Sequence, residues 1–512
     1  MGGTRMPRTA LTLFSGLGGG ALGLQRAGFR LVGGVEVDAQ TAADYEYLTG
    51  SPCHVGDLAT MTPGELRDVV GERRPDVVLL SPPCKGFSGC LPAKRAGEQH
   101  YVKLNSLAER GIWIALEAWP NAPPPLFCLE NVPLIQTRGR EWLDAIGKLL
   151  TAYGYAFRHT VHDCGRLGGL GQKRRRFLLV ARHTGQVPEF VYEPPQRRLR
   201  GCGEVLSMLP VPIPVGPDQL VPGGELHRLG RLCFHNWLRL ALVPAGGDWR
   251  DLPESVALTP RANRHSGRFG VEAWARASHT VCGSNARVGN GWASATADPR
   301  IAGATRRGVC TVHDANLPAR TVIGNARAIN GTAAIADLRL GHTPRRGGHG
   351  VVALEDPVGT VIGATNGAKG DALAAPLGYL KPTHHIVHDG RARWWCVGPT
   401  PDPNSRAPIH MVIRALDGSW HRPLTTLELA VLQGLPARVD GRWLTLTGGN
   451  KAAHRQRIGN AIPPPAAQAI GEAMMRTLDA AFNGTFLLAG EPVWVHPRKQ
   501  TSPTLNTPQN AH

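Results

Sequence analysis

Between residues 10 and 180, short apolar runs that end at glycine or proline alternate with longer amphipathic stretches. The run "ALTLFSG", starting at Ala10, predicts a strand stopped by a glycine turn, and "GGALGLQRAG" predicts a helix closed at Gly28. "RLVGGVEVD", "HVGDL" and "PDVVLLSPP" read as further strands. "NSLAERGIWIALEAW" spaces its apolar residues three and four apart, the period of a helix, and "PLFCLENV" and "RFLLVAR" return to strand. Strands alternating with helices predict an α/β class with a doubly wound, mostly parallel sheet. Ligands of such sheets sit beyond the carboxyl ends of the strands. Cys84, directly after "LLSPP", falls at one of those ends.

From about residue 184 to 421 the texture changes: Gly, Pro, Arg and Asn rise and the helical period fades. Three related segments begin at Ala277, Leu317 and Asp356, with threonine-valine pairs starting at Thr280, Thr321 and Thr360. The period is roughly 40, within the range of structural repeats. These copies predict strand-turn-strand units in a second, β/loop-rich domain. They serve either packing alone or contact with a substrate through Asn and Arg in Gly-rich loops. From residue 422 helices return: Thr425 can cap "PLTTLELAVLQGLP", with Glu428 three residues on, and "QAIGEAMMRTLDAAF" predicts a second helix. The division expected is therefore 1–183, 184–421 with the repeats, 422–485 as helices rejoining the first part, and a loose polar tail over 486–512.

Composition narrows the class. A chain of 512 residues with 42% hydrophobic content can bury a large core and form two domains. No run of 18 apolar residues occurs, so no membrane span is expected, and "MGGTRMPRTALTLF" lacks the apolar core of a secretory signal. A cytoplasmic location follows as the expectation. The ten cysteines are scattered without a C-x-x-C pair, which speaks against a disulfide framework and against structural zinc. His384 and His388 in "HHIVH" have metal-like spacing but lack evident carboxylate or cysteine partners, so no metal site is expected. The net charge of +18 fits a polyanionic partner such as nucleic acid. An arginine-dominated excess with abundant Ala, Gly and Pro also fits a base-composition effect.

The candidate chemistry lies in the strand ends. Gly16, Gly18 and Ala21 match G-x-G-x-x-G/A at a strand-to-helix turn, and Glu36 ends the next strand. Glycines admit a ligand close to the backbone and the carboxylate takes ribose hydroxyls, a layout shared by nicotinamide dinucleotide and S-adenosylmethionine sites. Asp57 either accepts from an adenine amino group or caps a loop. Cys84 is either a loop thiol or a nucleophile, which would need a lowered pKa from Lys85 and turn amides. Glu130 in "CLENVPL" is either a buried structural acid or a proton donor to a ring nitrogen. Arg174 and Arg176 alternate at the start of a strand and point the same way, into one site or along a solvated edge.

Taken in order, "LFSGLGG", "VEVD", "GDL", "SPPCKGFS", "ENV", "QKRRR", "RPLTTLELAVLQGLP" and "QRIGNAIPPP" resemble the C5-cytosine DNA methyltransferase family across nearly the whole chain. The resemblance implies the S-adenosylmethionine-dependent methyltransferase fold, S-adenosyl-L-methionine as methyl donor and double-stranded DNA as partner. It makes residues 1–183 the catalytic, cofactor-binding part and 184–421 the target-recognition region. Cys84 would attack C6 of a flipped-out cytosine, Glu130 would serve N3, Arg176 would hold O2, and Arg174 would support Glu130 or the ring. Phe14, Gly16, Gly18, Glu36, Asp57, Pro83, Leu107 and Asn460 would form the cofactor pocket. A prokaryotic or phage-encoded monomer is implied, with a cognate restriction endonuclease as a further partner. An RNA cytosine-5 methyltransferase and a catalytically silent DNA-binding relative are the alternatives. Three positions depart from the family: Thr12 where an acid usually precedes "LF", Val37 where an aromatic usually follows the ribose-binding acid, and Gly171 where a proline often precedes the glutamine.

Overall fold

The computed structural model describes residues 7–71, 73–84, 87, 99–212, 220–232, 234–243, 245–246, 251, 276–278, 420–487 and 492–496, together with short strands between 270 and 414. Its centre is a seven-stranded sheet. In chain order the elements are β1 (Thr9–Leu13), α1 (Gly19–Arg26), β2 (Arg30–Glu36), α2 (Ala39–Thr49), β3 (Cys53–Val55), α3 (Pro63–Val70), β4 (Val77–Leu80), α4 (Gln99–Ala118), β5 (Leu126–Asn131), α5 (Arg140–Ala152), β6 (Tyr155–Asp163), α6 (Cys164–Gly168) and β7 (Arg175–His183). The spatial order is β3-β2-β1-β4-β5-β7-β6. The first five strands run parallel, and β7 lies antiparallel between β5 and β6. This is a doubly wound, mostly parallel α/β sheet, as the alternation of runs predicts.

The central strands are apolar throughout because both faces are covered. Ala10, Val77, Leu79, Cys128 and Leu178 point to one layer, while Leu11, Leu13, Val78, Leu80 and Leu129 point to the other. The second layer is filled by Ile112 and Leu116 of α4 with Ile146 and Leu150 of α5. The first layer needs residues from the far end of the chain. After α7 (Thr426–Leu432) and α8 (Lys451–Asn460), α9 (Pro464–Asn483) lays Ile470, Met474 and Leu478 beside Ala21 and Leu24 of α1. The approach is close enough that a Cβ at Gly23 would overlap Ala467 and Pro464. The capping box expected at α7 is present: Thr425 Oγ1 accepts from the Glu428 amide, and the Glu428 carboxylate accepts from the Thr425 amide. Glu428 also pairs with Arg422 at 2.6 Å, both side chains fully buried.

The tail expected over 486–512 is not loose where it is described. Val493–Val495 form a strand against Val191–Tyr192. Trp494 is fully buried and donates its indole N–H to Thr160 Oγ1 at 3.1 Å. Three apolar residues in a polar stretch are too few for a periodicity signal, yet one tryptophan anchors them. Between 270 and 423 a six-stranded sheet runs in the order 384–388, 392–397, 412–414, 420–423, 294–297, 270–272. Val322–Gly324 and Val361–Gly363 pair in parallel, with Val322 opposite Val361 and Gly324 opposite Gly363, so equivalent positions of two repeats lie side by side. Most of the repeat region, including the threonine-valine pair at Thr280, lies outside the described residues. No helix of the described residues is long and apolar enough to cross a membrane.

Candidate active site

The carboxyl ends of β1, β2, β4 and β5 open into one cavity of about 780 Å³. Phe14, Gly16, Glu36, Asp57, Pro83, Cys84, Leu107, Glu130, Arg174, Arg176 and Asn460 all line it, although they span most of the chain. Gly18 does not. It caps the N-terminus of α1 with a left-handed φ of 91°, and a Cβ there would press on Tyr45 at 3.0 Å. The turn and the Tyr45 contact each call for glycine there.

At one end of the cavity three adjacent strands bring polar groups together. Glu130, 5% exposed at the end of β5, accepts from Arg176 Nε of β7 at 2.8 Å and from Ser81 Oγ, just past β4, at 2.9 Å. Cys84 is half-buried, three residues beyond Ser81. Burial pushes its thiol up from the ordinary value and the Glu130 charge pushes the same way, while Arg176 and Arg174 pull down without prevailing. Burial and the Glu130 charge thus work against the lowered pKa that a free nucleophile would need. Partial burial and a neighbouring carboxylate both disfavour a thiolate. Lys85 lies outside the described residues.

The two arginines divide their tasks. Arg176 pairs with Glu130. Arg174 is fully buried and sends Nη2 to the carbonyls of Gly459 at 2.9 Å and Ala461 at 3.0 Å. It thus clamps the backbone on both sides of Asn460, the last residue of α8. Gln433 Nε2 reaches the same Ala461 carbonyl at 2.6 Å, and Gln172 Nε2 reaches Gln433 at 2.6 Å.

The other end is built mainly on backbone. The Glu36 carboxylate accepts from the amides of Gly16 at 2.9 Å, Val37 at 3.0 Å and Asp38 at 3.2 Å, which joins the glycine loop to the end of β2. Phe14 holds a left-handed φ of 53°, uncommon for a bulky residue. Thr12, where an acid was expected, lies 2.9 Å from Ser15 in hydroxyl contact and donates to Tyr45 at 3.4 Å, so it supports the loop. Asp57 Oδ1 accepts from the Ala59 amide at 2.9 Å, which realises the loop-cap reading while the residue still faces the cavity. Val37 is 64% exposed at the rim.

Sequence reasoning missed several lining residues. Ser81 was submerged in the "SPPC" turn, yet its position one step past β4 and opposite the end of β5 was the available signal. Arg457 pairs with Asp44 and donates to Gln40 Oε1 at 3.1 Å and to the Thr447 carbonyl at 2.8 Å. No local pattern marks that cluster, because Arg457 lies about 400 residues from Asp44 and Gln40. Among the described residues no three His, Cys, Asp or Glu side chains form a metal-holding group; the side chains of His384 and His388 lie outside them.

A family model for C-5 cytosine-specific DNA methylases matches residues 9–204 and 387–476. Among curated proteins, the chain is 27% identical over 263 residues to the type II methyltransferase M1.HphI of Haemophilus parahaemolyticus, covering 49% of this chain and 65% of that one. It is 24% identical over 292 residues to the type II methylase M.HgiDII of Herpetosiphon aurantiacus, covering 56% and 78%. It is 30% identical over 208 residues to the type II methyltransferase M.XorII of Xanthomonas oryzae pv. oryzae, covering 39% and 46%. The chain therefore spans from under half to nearly four fifths of these relatives' own lengths.

Proposed function

The chain belongs to the C-5 cytosine-specific DNA methylases, and on that premise we propose that it methylates C5 of a cytosine in duplex DNA through a covalent adduct at Cys84. One observation carries this reading: a thiol, a carboxylate and a guanidinium share a single cavity with the loops of a nucleotide-type pocket. A stacked cytosine hides its ring faces, so the base must leave the helix to meet Cys84.

The residues present fit S-adenosylmethionine. The cavity is of ligand size, Gly16 leaves open space where a side chain would stand, and Glu36 Oε2, which accepts from a single amide, keeps a lone pair for a ligand. When bound, the donor supplies an electrophilic methyl group. Glu36 would take the ribose hydroxyls and Asp57 the adenine amino group. Phe14, Pro83 and Leu107 would give apolar walls, and Asn460 the far side, held by Arg174.

On the ring, Cys84 gives its thiol proton to solvent and Sγ forms a bond to C6, with Glu130 carrying a proton taken from solvent. The displaced electrons reach N3, which Glu130 protonates, while Arg176 beside it holds O2. Saturating C6 turns C5 into the nucleophilic carbon. After transfer the C5 proton leaves to solvent, the C6–Sγ pair returns to sulfur, and N3 gives its proton back to Glu130. Residues 205–386, between the two matched blocks, would read the DNA sequence, and the +18 charge would draw the phosphates. The type II names of the relatives favour a cognate restriction endonuclease as partner and a bacterial cytoplasm as location.

Cys84→Ser should cut methyl transfer to duplex DNA by about a thousandfold or more while leaving cofactor binding intact. The check is labelled-methyl transfer to duplex DNA and to transfer RNA, with bisulfite sequencing of the product. Retained turnover removes the nucleophile, and transfer confined to RNA removes the DNA substrate.

A further inference from the structure

The parallel register of β4 and β5 sets Leu80 opposite Leu129, so Ser81 and Glu130 are the next residues on the two chains. Ser81 Oγ donates to Glu130 Oε2 at 2.9 Å from that side. From the other side, the antiparallel β7 brings Arg176 Nε to Oε1 at 2.8 Å. Each carboxylate oxygen is thus held by a different neighbouring strand. The last torsion of a glutamate is broad when free; here two donors on opposite sides fix the plane of the carboxyl group. A hydroxyl both donates and accepts by rotating, so the Ser81 contact survives when Glu130 carries a proton.

Ser81 is itself anchored, its amide donating to the Leu13 carbonyl at 3.2 Å. Pro82 and Pro83 follow, each with a fixed φ and no amide donor, and then Cys84. One stiff four-residue segment therefore carries both the thiol and the grip on the carboxylate. We propose, on the reading that Glu130 serves N3 of the target ring, that Ser81 is a positioning residue which sets the plane of the Glu130 carboxyl group relative to Cys84. Arg176 alone would leave Oε2 free to swing, because one hydrogen bond does not define a plane.

The test uses the full-length enzyme with Ser81→Ala and, separately, Glu130→Ala. Ser81→Ala should lower kcat about 10- to 100-fold, the range for losing a hydrogen bond to a charged group. The Kd for S-adenosylmethionine, read by calorimetry, should stay within about twofold and Tm within about 2 °C. A full kcat in Ser81→Ala beside a collapsed kcat in Glu130→Ala overturns the role of Ser81 alone. A loss that tracks weaker cofactor binding or a lower Tm overturns it as well, since that pattern marks a structural residue. A full kcat in Glu130→Ala overturns the underlying reading of Glu130 instead.

Discussion

The two ends of the cavity are assembled by different means. At the thiol end, Ser81, Glu130 and Arg176 stand at the ends of three adjacent strands, and their contacts run side chain to side chain. At the glycine-loop end, one carboxylate, Glu36, gathers three backbone amides, and the rest is loop geometry. Strand register fixes the first end to within a hydrogen bond, so each side chain there depends on its neighbour's identity. The second end depends on where the backbone runs. That difference fits the departures of Thr12 and Val37 from the family pattern, since both lie at the glycine-loop end while Cys84, Glu130 and Arg176 keep the residue types of the family motifs.

Arg174 is the seam between the ends, and breaking it should have the largest effect. Arg174→Met strips two buried carbonyls, those of Gly459 and Ala461, of their guanidinium partner. At about 1–3 kcal/mol for each unsatisfied buried group, the expected loss is about 2–5 kcal/mol, softened where Gln433 still serves Ala461. Urea unfolding should show the earlier midpoint, and cofactor Kd should rise about tenfold or more as the Asn460 wall loosens. Unchanged stability and Kd would mean that α8 holds its place without this clamp.

A second contrast lies in pH. The Cys84 thiol is pushed up by burial and by Glu130, whereas an activated cysteine is ordinarily pushed down. Only the thiolate adds to C6. Below the thiol pKa, each pH unit should therefore speed single-turnover trapping on a 5-fluorocytosine duplex by about tenfold, with the rise continuing through pH 8. A plateau already at pH 7 would show that the bound base lowers the thiol pKa before attack, and would make the thiol end substrate-assembled.

How much was legible follows the same division. The alternation of runs gave the sheet, and strand-end residues such as Cys84, Glu130 and Glu36 could be picked out because a strand end is a local feature. Pairings across register or across the chain were not legible. Ser81 on Glu130 needs the β4–β5 register, Arg174 on Gly459 spans 285 residues, and Arg457 on Asp44 spans 413. The alternation of Arg174 and Arg176 at the entry of β7 suggests a shared direction, and both line the cavity, but it could not show that α8 would arrive beside Arg174. At Gly18 the glycine pattern does not separate a residue that spares the ligand from one that spares Tyr45.

The smallest effect bears most directly on the comparison. Val37 is 64% exposed at the rim beside Glu36, and its amide is already held by the Glu36 carboxylate. Its backbone position is thus fixed whatever side chain it carries. If the glycine-loop end is set by backbone, Val37→Trp should place a ring over the adenine without disturbing Glu36. An added aromatic contact is worth about 0.5–1.5 kcal/mol, so S-adenosylmethionine should bind about 2- to 10-fold tighter with kcat unchanged. Equilibrium binding and steady-state kinetics on the same preparation check both numbers. Weaker binding, or a fall in kcat, would mean that side chains at this end are as interlocked as those around Glu130, and the contrast between the two ends would not hold.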